Sequence, residues 1–148
     1  MASAVTNAKL PIGVFDSGMG GLTVLAALRQ HLSTEDFIYF GDTARLPYGT
    51  KSPATVQRYA QQAAGALVAR GIKALVVACN TASATALPTL ARELAPLPVF
   101  GVVEPGAMAA GAVADGSGVS VLATESTIAG GAYPVSYTHL TLPTKVRV

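Results

Sequence analysis

The sequence predicts an α/β domain built on a doubly wound, mostly parallel sheet with helices on both faces. Short apolar runs alternate along the chain with segments in which apolar residues recur at helical spacing. The runs are almost continuously apolar, which is typical of strands covered on both faces of a parallel sheet. At 148 residues the chain also has the length of a single domain.

Five apolar runs are predicted to be buried strands. They are Ile12 to Phe15, Phe37 to Phe40, Ala74 to Ala78, Val99 to Val103 and Val119 to Ala123. Helical patterns rather than tight turns separate the runs, so we expect parallel pairing through helical crossovers.

The segments between the runs carry helix signals. Apolar residues recur at helical spacing at Leu22, Leu25, Leu28 and Leu32, and again at Val56, Ala60, Ala63 and Leu67. The second helix has clear ends, because Ser52 and Pro53 suit its first turn and Gly71 suits its end. Pro88 is expected to break or kink the helix after Cys79 into two short pieces.

Composition narrows the possible functions. No apolar stretch approaches the roughly 18 residues of a membrane span, although mean hydropathy is +0.46. The first residues contain no apolar signal core, so a cytoplasmic location is expected. Lys145 and Arg147 account for the net charge of +2, and the balanced remainder lacks the basic patch that nucleic-acid binding needs. One cysteine and two distant histidines, His31 and His139, predict neither a metal site nor a Ser-His-Asp arrangement.

Polar residues follow the predicted strands at their carboxyl ends, where doubly wound sheets bind ligands. They are Asp16 and Ser17, Asp42 and Thr43, Cys79 with Asn80 and Thr81, Glu104, and Thr124 with Thr127. Cys79 is the only cysteine and precedes a predicted helix, whose terminal N–H groups would favour the reactive thiolate. A lone cysteine is often a small buried hydrophobe, so the site is predicted from the whole series of polar residues.

The glycine-rich loop from Asp16 to Gly21 has two open interpretations. A dinucleotide-binding fingerprint would have glycine where the chain has Thr23, although Asp42 lies at the distance expected of a ribose-binding carboxylate. Alternatively, main-chain N–H groups and the Ser17 hydroxyl hold a small carboxylate, while Asp16 pairs with an ammonium group or assists proton transfer.

A second loop, Leu46-Pro47-Tyr48-Gly49, follows the second predicted strand. It reads as an ordinary proline-glycine turn. Its possible use is to present the Tyr48 hydroxyl and the Gly49 N–H to a ligand across the mouth of the pocket.

Four ordered blocks of the chain resemble bacterial glutamate racemase. The blocks are Ile12 to Leu22, Tyr39 to Gly49, Val76 to Ser83 and Ala123 to Ile128. The resemblance runs from about Pro11 to Tyr133 and implies the first of the two similar α/β domains of that family. It also implies the cofactor-independent interconversion of L- and D-glutamate, which supplies D-glutamate for peptidoglycan.

The same resemblance implies roles for individual residues. Cys79 corresponds to one of two catalytic cysteines, and Asp16 to a residue that contacts substrate and assists proton transfer. The other implied substrate-binding residues are Ser17, Tyr48, Gly49, Asn80, Thr81, Thr124 and Thr127. Two thiols are required because inversion needs a base on one face of the α-carbon and an acid on the other. The resemblance implies glutamate as substrate, no cofactor, and possible homo-oligomers of the intact enzyme.

The chain departs from the family pattern in one decisive respect. The second cysteine, which the resemblance places in a Gly-Cys-Thr-His block of the other domain, is absent. Residues 1–10 are interpreted as a flexible lead, 11–133 as the racemase domain, and 134–148 as a non-family tail that arose as an artefact or by read-through. The chain is therefore predicted to be a truncated racemase that is inactive alone. Alternative hypotheses are an aspartate or broad-specificity amino-acid racemase and a non-catalytic ligand-binding module.

Overall fold

The computed structural model describes residues 8–114 and 119–133. The strands in this part of the chain are β1 (Ile12–Asp16), β2 (Phe37–Gly41), β3 (Ala74–Val77) and β4 (Val99–Gly101). The helices that lie wholly within it are α1 (Leu22–His31), α2 (Pro53–Val68), α3 (Asn80–Glu93), α4 (Val103–Val113) and α5 (Glu125–Ala129). The predicted lead is described only from residue 8, and the predicted tail lies outside the described residues.

The sheet has the strand order β2-β1-β3-β4, and every pair is parallel. Because the order reverses after β2, right-handed crossovers place α1 on one face of the sheet and α2 and α3 on the other. The predicted doubly wound α/β fold is confirmed. The switch point lies between β1 and β3, where the N–H of Ala78 donates to the carbonyl of Phe15 at 2.8 Å. Ligands are expected at this edge of the sheet.

The main core lies between the sheet and the helix pair α2 and α3. Phe15, Leu75 and Val77 are fully buried on that face of the sheet. The helices contribute Val56, Ala60, Ala63, Ala64 and Leu67 from α2, and Ala82, Ala86 and Leu90 from α3. The alanines leave room for the two helix backbones to approach each other and the sheet.

The predicted ends of α2 are confirmed. The Ser52 side chain accepts a hydrogen bond from the N–H of Thr55 at 3.3 Å, and Pro53 opens the helix. Gly71, shortly after the helix, has φ +72°, a left-handed conformation that suits glycine. Sequence signals for this element were strong because its caps depend on local residues only.

Two predicted elements differ from the structure. The run Val119–Ala123 forms a single bridge at Val119 rather than a strand, and Leu122 is 97% exposed. The run instead leads to Thr124, which is held at the carboxyl edge of the sheet beside Gly49. The expected division at Pro88 is also wrong, because α3 continues through it. Pro88 is exposed, and burial of Ala86 and Leu90 on either side holds the helix together.

Burial is less complete at the edges than the apolar runs predict. β2 is an edge strand and is half-buried along its length. No residue of α1 is buried, and Leu22 is 46% exposed. Within the described ranges, no helix combines the length and the hydrophobicity needed to cross a membrane.

Candidate active site

A cleft of about 740 Å³ opens at the carboxyl ends of the strands. It brings together every residue to which the resemblance assigns a role in catalysis or substrate binding: Asp16, Ser17, Tyr48, Gly49, Cys79, Asn80, Thr81, Thr124 and Thr127. Three other polar residues predicted at strand ends, Asp42, Thr43 and Glu104, are not among its described lining residues. The switch point of the sheet and the cleft therefore coincide, as the doubly wound topology requires.

Cys79 is the N-cap residue of the 14-residue helix α3. Its Sγ accepts a hydrogen bond from the N–H of Ala82 at 3.4 Å, and its thiol donates to Ser17 Oγ at 3.2 Å. The side chain is buried, with 6% exposed. The N–H of Ala82 and the positive end of the helix would both stabilise negative charge on this sulfur. The geometry suits a thiol that alternates between proton donor and proton acceptor.

Asp16 ends β1 and folds back onto its own loop. Its Oδ2 accepts a hydrogen bond from the N–H of Gly18 at 3.0 Å. A Cβ atom at Gly21 would lie 2.6 Å from the Cβ of Asp16, and one at Gly41 would overlap the carbonyl oxygen of Gly18. Only glycine fits at these two positions, because the loop is pressed between β1 and the end of β2.

The loop geometry disfavours the dinucleotide interpretation. A phosphate would need the N–H of Gly18, which already donates to a carboxylate. Asp42, the candidate ribose ligand, is buried and used elsewhere: its Oδ2 accepts from Tyr48 at 2.5 Å and lies 2.6 Å from Arg45 Nε. The loop N–H that a phosphate would need is thus bound to a carboxylate, and Asp42 is bound to Tyr48 and Arg45, so this geometry does not suit a nucleotide.

Tyr48 does not use its hydroxyl as the sequence suggested. The hydroxyl donates to Asp42, and the side chain is 1% exposed. Burial raises the pKa of Tyr48 far above its ordinary value, and the hydrogen bond to Asp42 and its charge raise it further. Any contribution of this loop to a ligand would therefore have to come from its main chain beside Gly49.

Three threonine hydroxyls form a triangle on the far wall of the cleft. The Oγ1 atoms of Thr81 and Thr124 are 3.0 Å apart, those of Thr81 and Thr127 3.1 Å, and those of Thr124 and Thr127 2.9 Å. The N–H of Ser126 also donates to the carbonyl of Gly49 at 3.3 Å. These contacts tie the segment 124–127 to the start of α3 and to the second loop.

Two tyrosines that contact residues of the cleft were missed by the sequence analysis. Tyr39 donates to the carbonyl of Gly18 at 3.2 Å and lies 3.5 Å from Asp16 Oδ2; burial first, and then the Asp16 charge, raise its pKa to about 12. Tyr133 lines the cleft and donates to Asn80 Oδ1 at 2.7 Å. Tyr39 lies inside an apolar run and Tyr133 at the end of the resemblance, so neither position carried a signal of its own.

The cleft has an unusual charge distribution. Among its described lining residues Asp16 is the only Asp or Glu, and there is no Lys, Arg or His. A ligand carboxylate would therefore depend on N–H and hydroxyl donors, and a ligand ammonium group on Asp16. In the described ranges no three His, Cys, Asp or Glu residues are close enough to hold a metal ion.

The rim of the cleft is apolar and exposed. Met19 is 71% exposed, Leu46 51% and Leu122 97%, and all three line the opening. Large apolar side chains grouped around a polar cleft are a common sign of a surface that another part of a protein covers.

Comparisons with known proteins agree with the geometry. The sequence model of the Asp/Glu/hydantoin racemases matches residues 12–140. A glutamate racemase of Thermus thermophilus is 59% identical over 126 residues, which cover 85% of this chain and 48% of the relative. The chain thus spans about half the length of the curated relatives it matches.

Solved structures show the same likeness. Glutamate racemase from Aquifex pyrophilus has a TM-score of 0.89 and 43% identity, over 93% of this chain and 54% of that chain. Glutamate racemase from Francisella tularensis, solved in complex with D-glutamate, has a TM-score of 0.84 and 42% identity, over 93% of this chain and 51% of that chain.

Proposed function

Because the chain belongs to the Asp/Glu/hydantoin racemase family, we propose that its cleft serves the cofactor-independent interconversion of L- and D-glutamate, which supplies peptidoglycan precursors. The observation that carries the proposal is the placement of Cys79. Its sulfur faces Ser17 and the N–H of Ala82 at the switch point, in a cleft that offers Asp16 to an ammonium group and neutral N–H and hydroxyl donors to carboxylates. The D-glutamate complex of the Francisella relative supports the same substrate class.

In the proposed reaction Cys79 exchanges a proton with the α-carbon. As a thiolate it removes the α-proton, and as a thiol it returns a proton to the same face. Asp16 pairs with the substrate ammonium group. Neutral donors, among them the N–H of Gly49 and the Ser17 hydroxyl, hold the carboxylate on which charge develops.

Inversion requires a second acid or base on the opposite face, and the 148 residues contain one cysteine. We therefore assign the second group to a further part of the enzyme, corresponding to the half of the relatives that this chain does not match. That part would cover the apolar rim formed by Met19, Leu46 and Leu122. The chain alone is proposed to bind glutamate weakly and not to racemise it. A cytoplasmic location and a homo-oligomer of the intact enzyme stay predictions.

The test separates proton exchange from racemisation. The purified chain is incubated with L- or D-glutamate in deuterated water, and loss of the α-proton signal is followed by NMR while circular dichroism follows inversion. We expect exchange with one enantiomer, no inversion, and loss of exchange in Cys79→Ala. Thr43→Ala, an exposed polar residue outside the cleft, is the matched control and should behave like wild type.

Binding titrations distinguish the alternatives. D-Glutamate, D-aspartate and NAD are each titrated against the ¹⁵N-labelled chain, and shifts at Asp16, Gly49 and Cys79 are recorded. The proposal predicts shifts with glutamate that exceed those with aspartate, and none with NAD. It is overturned if NAD alone binds, or if neither glutamate enantiomer binds or exchanges. Inversion by the chain alone, abolished in Cys79→Ala, would refute the requirement for a second part.

A further inference from the structure

We propose that Tyr133 is a positioning residue that fixes the side-chain amide of Asn80, so that the NH₂ end of the amide, and not its oxygen, is presented to a ligand carboxylate. The observation is the 2.7 Å hydrogen bond from the Tyr133 hydroxyl to Asn80 Oδ1, between two residues that both line the cleft. The identity of the carboxylate ligand rests on the proposed function.

The orientation of an asparagine amide decides what it can bind. Its oxygen accepts hydrogen bonds and would repel a carboxylate, whereas its NH₂ group donates two. Asn80 is the first residue of α3 and is exposed, so burial does not fix its rotamer. A hydrogen bond that engages Oδ1 from one side directs the two amide protons to the other. In a cleft whose described lining holds no cation, each correctly directed neutral donor matters more for a ligand carboxylate.

Tyr133 is held in place by the segment that carries it. The threonine triangle anchors Thr124 and Thr127, which precede it, to the start of the same helix α3 that Asn80 opens. On the other side, a Cβ atom at Gly106 would lie 3.8 Å from the Tyr133 hydroxyl, so α4 passes beside the phenol. The donor and the acceptor are thus both attached to α3, one directly and one through the triangle.

The first readout needs no ligand. In ¹⁵N NMR spectra of the full chain, the side-chain NH₂ signals of Asn80 are compared between wild type and Tyr133→Phe. We expect both signals to shift and their order parameters to fall in the variant, because the amide is released. The matched control is Tyr59→Phe, a half-buried tyrosine outside the cleft lining, which should leave the Asn80 signals unchanged. Unchanged Asn80 signals in Tyr133→Phe would overturn the proposal.

The second readout is a double-mutant cycle on D-glutamate binding, measured by NMR titration. We expect Tyr133→Phe to bind D-glutamate roughly five-fold more weakly than wild type, because it loses the hydrogen bond that orients the Asn80 amide. Asn80→Ala should weaken binding at least as much, and Asn80→Ala with Tyr133→Phe should bind like Asn80→Ala alone. Binding by Tyr133→Phe equal to wild type, or the same five-fold loss in the Asn80→Ala background, would contradict a role through Asn80.

The two proposals can fail separately. If the wild-type chain binds no glutamate, the proposed function fails, and the ligand-free Asn80 signals alone then decide whether Tyr133 fixes the amide. If wild type binds glutamate and the cycle shows no coupling, only the role of Tyr133 is refuted.

Discussion

Replacing Tyr48 by phenylalanine isolates one hydrogen bond in the core beneath the second loop. The variant keeps the ring, whose centroid lies 6.2 Å from that of Phe15 and 5.7 Å from that of Tyr59, so packing is conserved. It removes the hydroxyl that donates to Asp42 Oδ2 at 2.5 Å. Asp42 is 5% exposed, so water does not readily replace the lost donor.

The magnitude follows from the charge on the acceptor. A hydrogen bond to a charged group contributes about 1.5–3 kcal/mol. Arg45 still pairs with the same carboxylate, at 2.6 Å, so the charge is not left alone and the full penalty of an unpaired buried ion does not apply. We expect the free energy of unfolding to fall by about 2 kcal/mol, toward the lower half of that range.

The assay is urea unfolding followed by circular dichroism, with the midpoint and the m-value compared between variants. The control is Tyr59→Phe, because no hydrogen bond joins the Tyr59 hydroxyl to another described residue, and its loss should stay below about 0.5 kcal/mol. If Tyr48→Phe and Tyr59→Phe lose the same free energy of unfolding, the hydrogen bond from Tyr48 to Asp42 is not the stabilising contact. A changed m-value would show that packing was altered as well.

Three further predictions concern the second loop, helix α2 and the tyrosine beneath the site. Gly49→Ala should lower the free energy of unfolding by about 1–3 kcal/mol and weaken glutamate binding, because the new Cβ would lie 2.5 Å from Thr124 Cβ. Urea denaturation and NMR titration measure the two effects. Wild-type values for both would refute the close contact between Gly49 and Thr124. Gly65→Ala, in α2 with open space around it, should instead raise stability by about 0.5–1 kcal/mol in the same assay, and a loss there would contradict the described spacing. Because the folded-state pKa of Tyr39 is raised to about 12, the un-ionised Tyr39 contributes fully to the free energy of unfolding below about pH 10, and this contribution is lost as pH rises through 12. Between about pH 9 and 12 the free energy of unfolding should therefore decline less in Tyr39→Phe than in wild type. Parallel curves for the two proteins would refute this.

Local signals in the sequence predicted most of the sheet and its helices. Each of the four observed strands begins at the first residue of a predicted apolar run, and α2 begins at Pro53 as its capping residues indicate. The fourth run was predicted to extend to Val103, which instead opens α4. The two incorrectly predicted elements share a cause, because both are determined by contacts with residues distant in the sequence. Val119 to Ala123 is apolar enough for a strand, but the hydrogen bonds of Thr124 hold its end elsewhere. Pro88 was expected to break α3, but tertiary burial of the helix outweighs the missing N–H.

The candidate site likewise has features that the local sequence predicted and features that depend on packing. Asp16 ends one observed strand and Cys79 follows another, and these positions were enough to predict that they lie around one cleft. Thr124 lies there too, although the strand predicted before it does not form. The orientation of side chains was not predictable, because the partner of a hydroxyl is set by packing rather than by chain order. The Tyr48 hydroxyl binds Asp42 beneath the loop, and the Tyr133 hydroxyl reaches back to the first residue of α3.

The strand order has a consequence for how the chain is made. β1 lies between β2 and β3, and its residue Ile12 pairs with Phe37 on one flank and with Ala74 on the other. During synthesis the first flank can be completed soon after β2 leaves the ribosome, while the second stays open until β3 has emerged. For that interval the most buried strand of the domain exposes an unpaired apolar edge. Aggregation during translation should therefore respond to the speed with which the segment between β2 and β3 is synthesised.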